Sequence, residues 1–232
     1  MIQVETGWIV KDGRDHDENA DRVGAGAVRF ALADGASDAA YPEIWAELLV
    51  WSFLQGRNPL EPNTLARLRW LWHERTRADE PDPPWYVTKK RALGSAAAFV
   101  GLTIDTHNRR FTATAVGDSC LLHIREGAVI TAGPLEHSAQ FTRIPALLST
   151  RSGDKSYLKA HWRIDKPYSP GDTFLLASDA LAKYLLRRRE RGMPMDLAEL
   201  SGAGTHFATW VVEARADREL DNDDTTFCLV KL

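Results

Sequence analysis

Apolar residues concentrate in six short runs, at residues 28–33, 96–104, 111–116, 121–124, 173–177 and 226–230, each bounded by Gly, Asp, Asn or Pro. Runs of this length with such punctuation predict β-strands. Only Gly117-Asp118-Ser119-Cys120 separates 111–116 from 121–124, which predicts an antiparallel hairpin in place of a parallel crossover. Helical spacing fills the intervals. Ile44, Trp45, Leu48, Leu49, Ser52 and Phe53 recur three and four apart, entered by Pro42 and closed by Gly56. Pro62 opens a second helix with Leu65, Leu68, Leu71 and Trp72 on one face, stopped by residues 79–84. A third runs from Asp179 through Leu181, Tyr184 and Leu185 to Gly192, and a fourth from Thr205 through Val211 and Val212 to Arg215. Strands and helices are grouped and do not strictly alternate, which predicts an α+β fold of helices packed on antiparallel sheets.

The chain has 232 residues without repeat, low-complexity tract or Gly/Ser/Pro-rich linker, so one domain over 1–232 is expected. Apolar residues at 44% and charged residues at 26% match soluble globular domains and exclude disorder. Lys plus Arg number 29 against 32 acids, a net charge of −3, so general phosphate-backbone binding has no electrostatic basis and nucleic acid is not expected as a partner. Cys120 and Cys228 lie in separate apolar stretches without CxxC spacing, which argues against a disulfide framework or zinc site and fits a reducing cytoplasm. The opening residues lack the pattern of a secretory signal, and no apolar run approaches membrane-spanning length.

The acids sit at the ends of the apolar runs. Phe30-Ala-Leu-Ala-Asp34-Gly35, Ala113-Thr-Ala-Val-Gly-Asp118 and Phe174-Leu-Leu-Ala-Ser-Asp179 each finish on Asp, whereas Asp223-Asp224-Thr-Thr precedes its strand. If the last strand runs antiparallel to those ending in Asp34 and Asp179, its start meets their ends. Each acid taken singly has a purely structural reading: a turn for Asp34-Gly35 and for Asp223-Asp224, a helix cap for Ser178-Asp179, a tight bend for Asp118. Taken together they make a shared carboxylate pocket. Two bare carboxylates about 4 Å apart repel by about 4 kcal/mol at an effective dielectric near 20, so such a group must protonate, separate or bind cations. Oxygen ligands without paired His or Cys select Mg²⁺ or Mn²⁺.

These segments, with Gly94-Ser95 leading into a strand, Val116-Gly117-Asp118-Ser119 and Pro170-Gly171-Asp172, resemble in order the metal-dependent protein serine/threonine phosphatases of type 2C, the PPM family, above all its bacterial members. The resemblance implies a four-layer α-β-β-α sandwich with a binuclear Mg²⁺ or Mn²⁺ centre. It implies that Asp34 bridges both ions, that the Gly35 carbonyl holds one, and that Asp179 and Asp223 bind the other, with Asp118 supporting a third, weaker ion. Asp224 stands where many members carry Asn. The N-terminal motif departs from the family pattern: anchoring on Asn19 puts Ala20 at the usual Glu and Asp21 at the Asp, whereas anchoring on Arg14 puts Glu18 and Asn19 there. The first register makes Asp21 a water-mediated metal contact and leaves Arg14 as a phosphate contact. Ala36 replaces the His that animal members often carry as an acid.

The implied reaction is hydrolysis of a phosphate monoester on a protein, with two cations lowering the pKa of a bridging water and no covalent phosphoenzyme. An opposing kinase is the expected counterpart. A catalytically idle binding module and a small-molecule phosphatase are the alternatives. Cys120 and Cys228 have apolar neighbours, where a thiol tends to stay protonated, which does not suit a cysteine-based phosphatase. Residues 133–156, with Pro134, Phe141, Arg143, Pro145 and Arg151, are too long for a hairpin connection and are expected to form a variable flap that selects the substrate. The Arg187 to Arg191 cluster is read as a solvated helix end, and the eight tryptophans as core and interface filling.

Overall fold

The computed structural model describes residues 2–77, 85–193, 197–200 and 205–232. The first half of the chain forms strands β1 (Gln3–Ile9), β2 (Arg22–Ala25), β3 (Arg29–Gly35), β4 (Ala96–Asp105) and β5 (Arg110–Val116). Strands β6 (Cys120–Arg125), β7 (Ala128–Gly133), β8 (Leu148–Ser149), β9 (Trp162–Pro167), β10 (Thr173–Ala177) and β11 (Thr225–Lys231) follow. The helices are α1 (Pro42–Leu54), α2 (Pro62–Arg75), α3 (Trp85–Leu93), α4 (Tyr157–Ala160), α5 (Asp179–Glu190) and α6 (Thr205–Ala216). One sheet has the order β1-β11-β10-β6-β7, the other β2-β3-β4-β5-β9 with β8 added against β4, and every pairing is antiparallel. The stop expected for the second helix at residues 79–84 lies outside the described residues.

Period-two alternation explains why the central strands read as unbroken apolar runs. In β3, Phe30 and Leu32 face the opposite sheet while Ala31 and Ala33 face α1 and α2. In β10, Phe174 and Leu176 face inward while Leu175 and Ala177 meet α5 and α6, and β11 repeats this with Cys228 and Val230 against Phe227 and Leu229. Three apolar layers result, one between the sheets and one under each helix pair, which is the four-layer α-β-β-α arrangement. Each fully buried Leu or Phe contributes about 1.5–3 kcal/mol.

The hairpin expected between 111–116 and 121–124 does not form. β5 pairs with β4 and β9, β6 pairs with β10 and β7, and Gly117-Asp118-Ser119 carries the chain from one sheet to the other. Gly117 makes the crossing possible: its φ is 99°, and a Cβ there would lie 2.5 Å from the Ala98 Cβ. The strand expected at 28–33 starts one residue later and continues through Asp34 and Gly35, which pair with Ala98 and Ala97. Of the tryptophans, Trp45 and Trp72 are fully buried, but Trp51, Trp70 and Trp85 face solvent, so core filling describes only some of them. The 133–156 segment is tied to the body where Leu148 and Ser149 join β4 and where the Trp45 indole donates to the Leu148 carbonyl at 2.7 Å.

Candidate metal centre

Strand parity decides which acids can meet. Phe30 and Leu32 point between the sheets, so Asp34, two residues on, occupies the same inner face where β3 ends. Asp118 sits on the intersheet crossing, Asp179 opens α5 just past the end of β10, and Asp223 precedes β11, which runs antiparallel to β10. All four line one cavity of about 720 Å³, together with Gly35, Ser37, Lys183, Asp221 and Asp224 and the flap residues Phe141, Arg143 and Pro145. Asp34 reaches this edge from the facing sheet, not from a strand beside β11 as the antiparallel argument supposed.

Asp21 approaches from the other side. It is 4% exposed, and neither of its carboxylate oxygens has a hydrogen-bond partner; Thr226 and Asp34 are close by but make no bond of acceptable geometry with it. Burial, reinforced by the charges of Asp224 and Asp223, pushes its carboxyl up to about 7. Asp34 is driven well above the usual carboxylate range by burial and then by Asp21, Asp179, Asp118 and Asp223. Asp179 is raised to about 8 by burial, Asp118 and Asp223, and Asp118 to about 6 by burial and Asp223. Near neutral pH the pocket therefore opposes ionisation of the whole set, and added positive charge would relieve that opposition.

Asp223 and Asp224 divide their work. The Asp224 carboxylate accepts the amides of Lys11 and Ala20, each at 2.9 Å, and so ties the end of β1 and the approach to Asp21 to β11. Its oxygens are occupied by backbone. The Asp223 carboxylate accepts the Asp224 amide at 2.9 Å, lies 3.5 Å from the Lys11 ammonium and faces the cavity. Arg215, its side chain 3% exposed, holds the turn from behind: it donates to the carbonyls of Asp223 at 2.6 Å and Val10 at 3.0 Å, to Thr225 Oγ1 at 3.2 Å and to Asp12 Oδ1 at 3.0 Å. Ser178 Oγ accepts the Thr226 amide at 2.9 Å and locks the start of α5 to β11.

Arg14 is not brought to the cavity. Its guanidinium pairs with Glu18 at 3.6 Å, and the loop turns so that Lys11 projects inward, where its ammonium donates to Ser37 Oγ at 3.1 Å. Both thiols are buried and pushed up to about 12, Cys120 and Cys228 alike mainly by desolvation, so neither can act as a nucleophile near neutral pH.

The residues fit divalent cations on two observations: an orphaned, buried carboxylate at Asp21 and an all-oxygen donor set. Among the described residues no three His, Cys, Asp or Glu side chains form a group able to hold an ion by themselves. Ligation would therefore combine carboxylate pairs, the Gly35 carbonyl and water, which is how Mg²⁺ is commonly held.

No protein-family model matches the chain, and no curated protein does either. Solved structures do. Stp1, a serine/threonine phosphatase from Staphylococcus aureus, superposes with a TM-score of 0.65 at 16% identity, over 100% of this chain and 95% of that one. The catalytic domain of the serine/threonine protein phosphatase PstP, in complex with two manganese ions, gives 0.60 at 18% identity over 99% and 97%. PppA, a regulatory component of type VI secretion in Pseudomonas aeruginosa, gives 0.63 at 16% over 100% and 98%. The chain has the fold of these phosphatases.

Within that fold, sequence reasoning missed Lys11, Ser37, Lys183 and Arg215. Lys183, which pairs with Asp221 at 2.5 Å, was foreshadowed: it lies four residues after Asp179 on the same helix, hence on the same face. Nothing local in the sequence marks Lys11 or Arg215, because each depends on the approach of chain ends more than 200 positions apart.

Proposed function

We propose that the chain is a metal-dependent phosphate-monoester hydrolase acting on phosphoserine or phosphothreonine in proteins. The observation that carries this is the convergence of Asp34, Asp118, Asp179 and Asp223 on one cavity, with Asp21 buried and unpartnered behind it, in the fold of phosphatases one of which binds two manganese ions. Asp34 and the Gly35 carbonyl would hold one Mg²⁺ or Mn²⁺, Asp34 with Asp179 and Asp223 the second, Asp118 a third and weaker ion, and Asp21 a water-mediated contact. When bound, the ions supply charge neutralisation and a water nucleophile available near neutral pH.

The chain's own residues do the remaining work. Asp34 stands where β3 ends, on rigid backbone paired with Ala98, so its carboxylate does not drift as substrate arrives. Ser37 and Lys183, which line the cavity, and Lys11, held beside it by Ser37 and Asp223, would offer donors to the phosphoryl oxygens, the contact expected of Arg14. Lys11 is restrained for this by its own amide bond to Asp224. Phe141, Ile144 and Pro145 line the cavity on the flap side. A protein kinase is the expected counterpart, and the buried, protonated thiols suit the cytoplasm. Among the described residues no helix is long and apolar enough to cross a membrane.

The test is hydrolysis of an aryl phosphate and of a phosphothreonine peptide by wild type and Asp34→Asn, with Mn²⁺, with Mg²⁺ and in chelator. Wild type should turn over both substrates only with metal, and the substitution should reduce the rate at least about a hundredfold, because the shared ligand loses its charge. Equal rates for the two proteins, or full activity in chelator, would overturn the assignment. A chain inert toward every substrate yet still binding phosphopeptide would be the idle binding module, and preference for sugar or nucleotide phosphates would make it a small-molecule phosphatase.

A further inference from the structure

A groove away from the carboxylates has the opposite charge. It holds about 940 Å³ between α2, the end of α3 and the loop after β8, and its walls carry Arg69, His73, Arg91 and Arg151 beside Trp70. Among the described lining residues one carboxylate, Asp154, faces them, so three guanidiniums exceed the acids by two charges. Asp154 is itself engaged, accepting the Ser156 amide at 2.9 Å. Arg69 braces the wall by donating to the carbonyls of Ser149 at 2.9 Å and Asp154 at 3.3 Å. Arg91 and Arg151 have no ion pair among the described residues, and Trp70, 60% exposed, offers a flat apolar side to an extended chain.

The groove is continuous with the metal centre. A cleft of about 640 Å³ shares Ala36, Asp38, Ile144, Pro145 and Leu147 with the acidic cavity, and shares Gly94, Arg151 and Asp154 with the basic groove. A polypeptide with one phosphorylated side chain in the cavity can therefore run along the cleft and set a later or earlier side chain among the arginines.

We propose that this groove binds a second phosphorylated side chain of the same substrate polypeptide, making the protein selective for multiply phosphorylated segments. The inference rests on the phosphatase reading and names its substrate class. A phosphomonoester carries about −1.5 to −2 charge near neutral pH, which matches the surplus of two, and planar guanidinium forks pair with phosphate oxygens two at a time. A single glutamate would leave one positive charge uncompensated.

The experiment compares kcat/KM on synthetic phosphothreonine peptides carrying a second phosphoserine two to eight residues away, on either side, with the singly phosphorylated peptide and with one bearing glutamate at the second position. In wild type with Mn²⁺, at least one spacing should raise kcat/KM about tenfold, mainly through KM, with a smaller gain for glutamate. Increasing salt should shrink the gain, since the groove is open to solvent. Arg91→Glu/Arg151→Glu should reduce the diphosphorylated-to-monophosphorylated ratio to about one, whereas Arg67→Glu, at an exposed position of α2 outside the groove lining, should retain it. Fluorescence anisotropy of a labelled diphosphorylated peptide in chelator gives a readout independent of turnover, and the same loss of affinity is expected in the double variant. Absence of preference at any spacing, a gain from glutamate equal to that from phosphate, or a preference that survives charge reversal would overturn the proposal. Loss of all turnover with the charge-dependent binding intact would instead sink the phosphatase reading and leave the anion groove standing.

Discussion

Replacing Asp118 by asparagine should make the metal-free protein more stable, and the gain should depend on pH. Asp118 is 8% exposed, and burial together with the Asp223 charge raises its carboxyl from 3.8 to about 6. A folded-state value above the unfolded one means that the fold favours the protonated acid. Its contribution is fully present below about pH 4 and is lost as pH rises through about 6, where the folded chain must ionise a group that the unfolded chain ionises freely. A shift of about two pH units corresponds to about 3 kcal/mol, a ceiling because cavity water and side-chain relaxation soften the penalty. Urea unfolding followed by tryptophan fluorescence, in chelator, measures this directly. Asp118→Asn should exceed wild type by about 1–3 kcal/mol above about pH 7, and the two curves should converge toward about pH 4. Saturating Mn²⁺ should reverse the order, since ions at about a hundredfold over their dissociation constant add about 2.7 kcal/mol per site to whichever fold binds them better. Parallel stability curves for the two chains in chelator would refute the claim that burial and the Asp223 charge hold the Asp118 carboxyl above its ordinary value.

Other outcomes follow from the supports around the site. Arg215→Met should cost about 2–5 kcal/mol, because the carbonyls of Val10 and Asp223 lose their buried donor, and should weaken Mn²⁺ binding in calorimetric titration, because the turn presenting Asp223 loosens; unaltered Mn²⁺ affinity in a folded variant would deny Arg215 this positioning role. At the opposite end, Asp172 is 0% exposed and accepts bonds from Arg125 at 2.7 and 2.8 Å, from the Ser169 amide at 2.8 Å and from His123 at 2.7 Å. Burial alone would raise its carboxyl, but these partners bring it down to about 2, so its stabilisation is present above about pH 4 and lost as pH falls through about 2. Acid titrations of unfolding should show wild type losing about 2 kcal/mol over that window that Asp172→Asn does not lose.

The parts of the fold that could be read from the sequence were those whose cause is local. Strands β3, β4, β10 and β11 are covered on both faces, so they appear as solid apolar runs, and α1 and α2 start where Pro42 and Pro62 fix the first turn. Strands with one wet face were overlooked. β9 alternates Trp162-Arg-Ile-Asp and has burial to match, but a search for continuous apolar residues passes over a strand at the edge of its sheet. The same limit produced the hairpin error. Four residues between two apolar runs describe a hairpin and an intersheet arch equally well, and the choice is made by Gly117 at φ 99° against Ala98, a contact from a strand some twenty positions earlier.

For the site, sequence order showed which acids end strands but not which of them face inward. Asp223 and Asp224 are adjacent and chemically identical, and only the fold separates them: the Asp224 carboxylate is used up by the amides of Lys11 and Ala20, while that of Asp223 faces the cavity. Those two amides belong to the loop that carries Lys11 and leads to Asp21, so Asp224 sets the position of a cation and of an acid at once. The irregular residues between Arg14 and Asp21 can therefore depart from a family pattern without displacing Asp21. The loop is fixed at both its ends by the carboxylate just before β11, and the residues between, Arg14 among them, are free to turn outward.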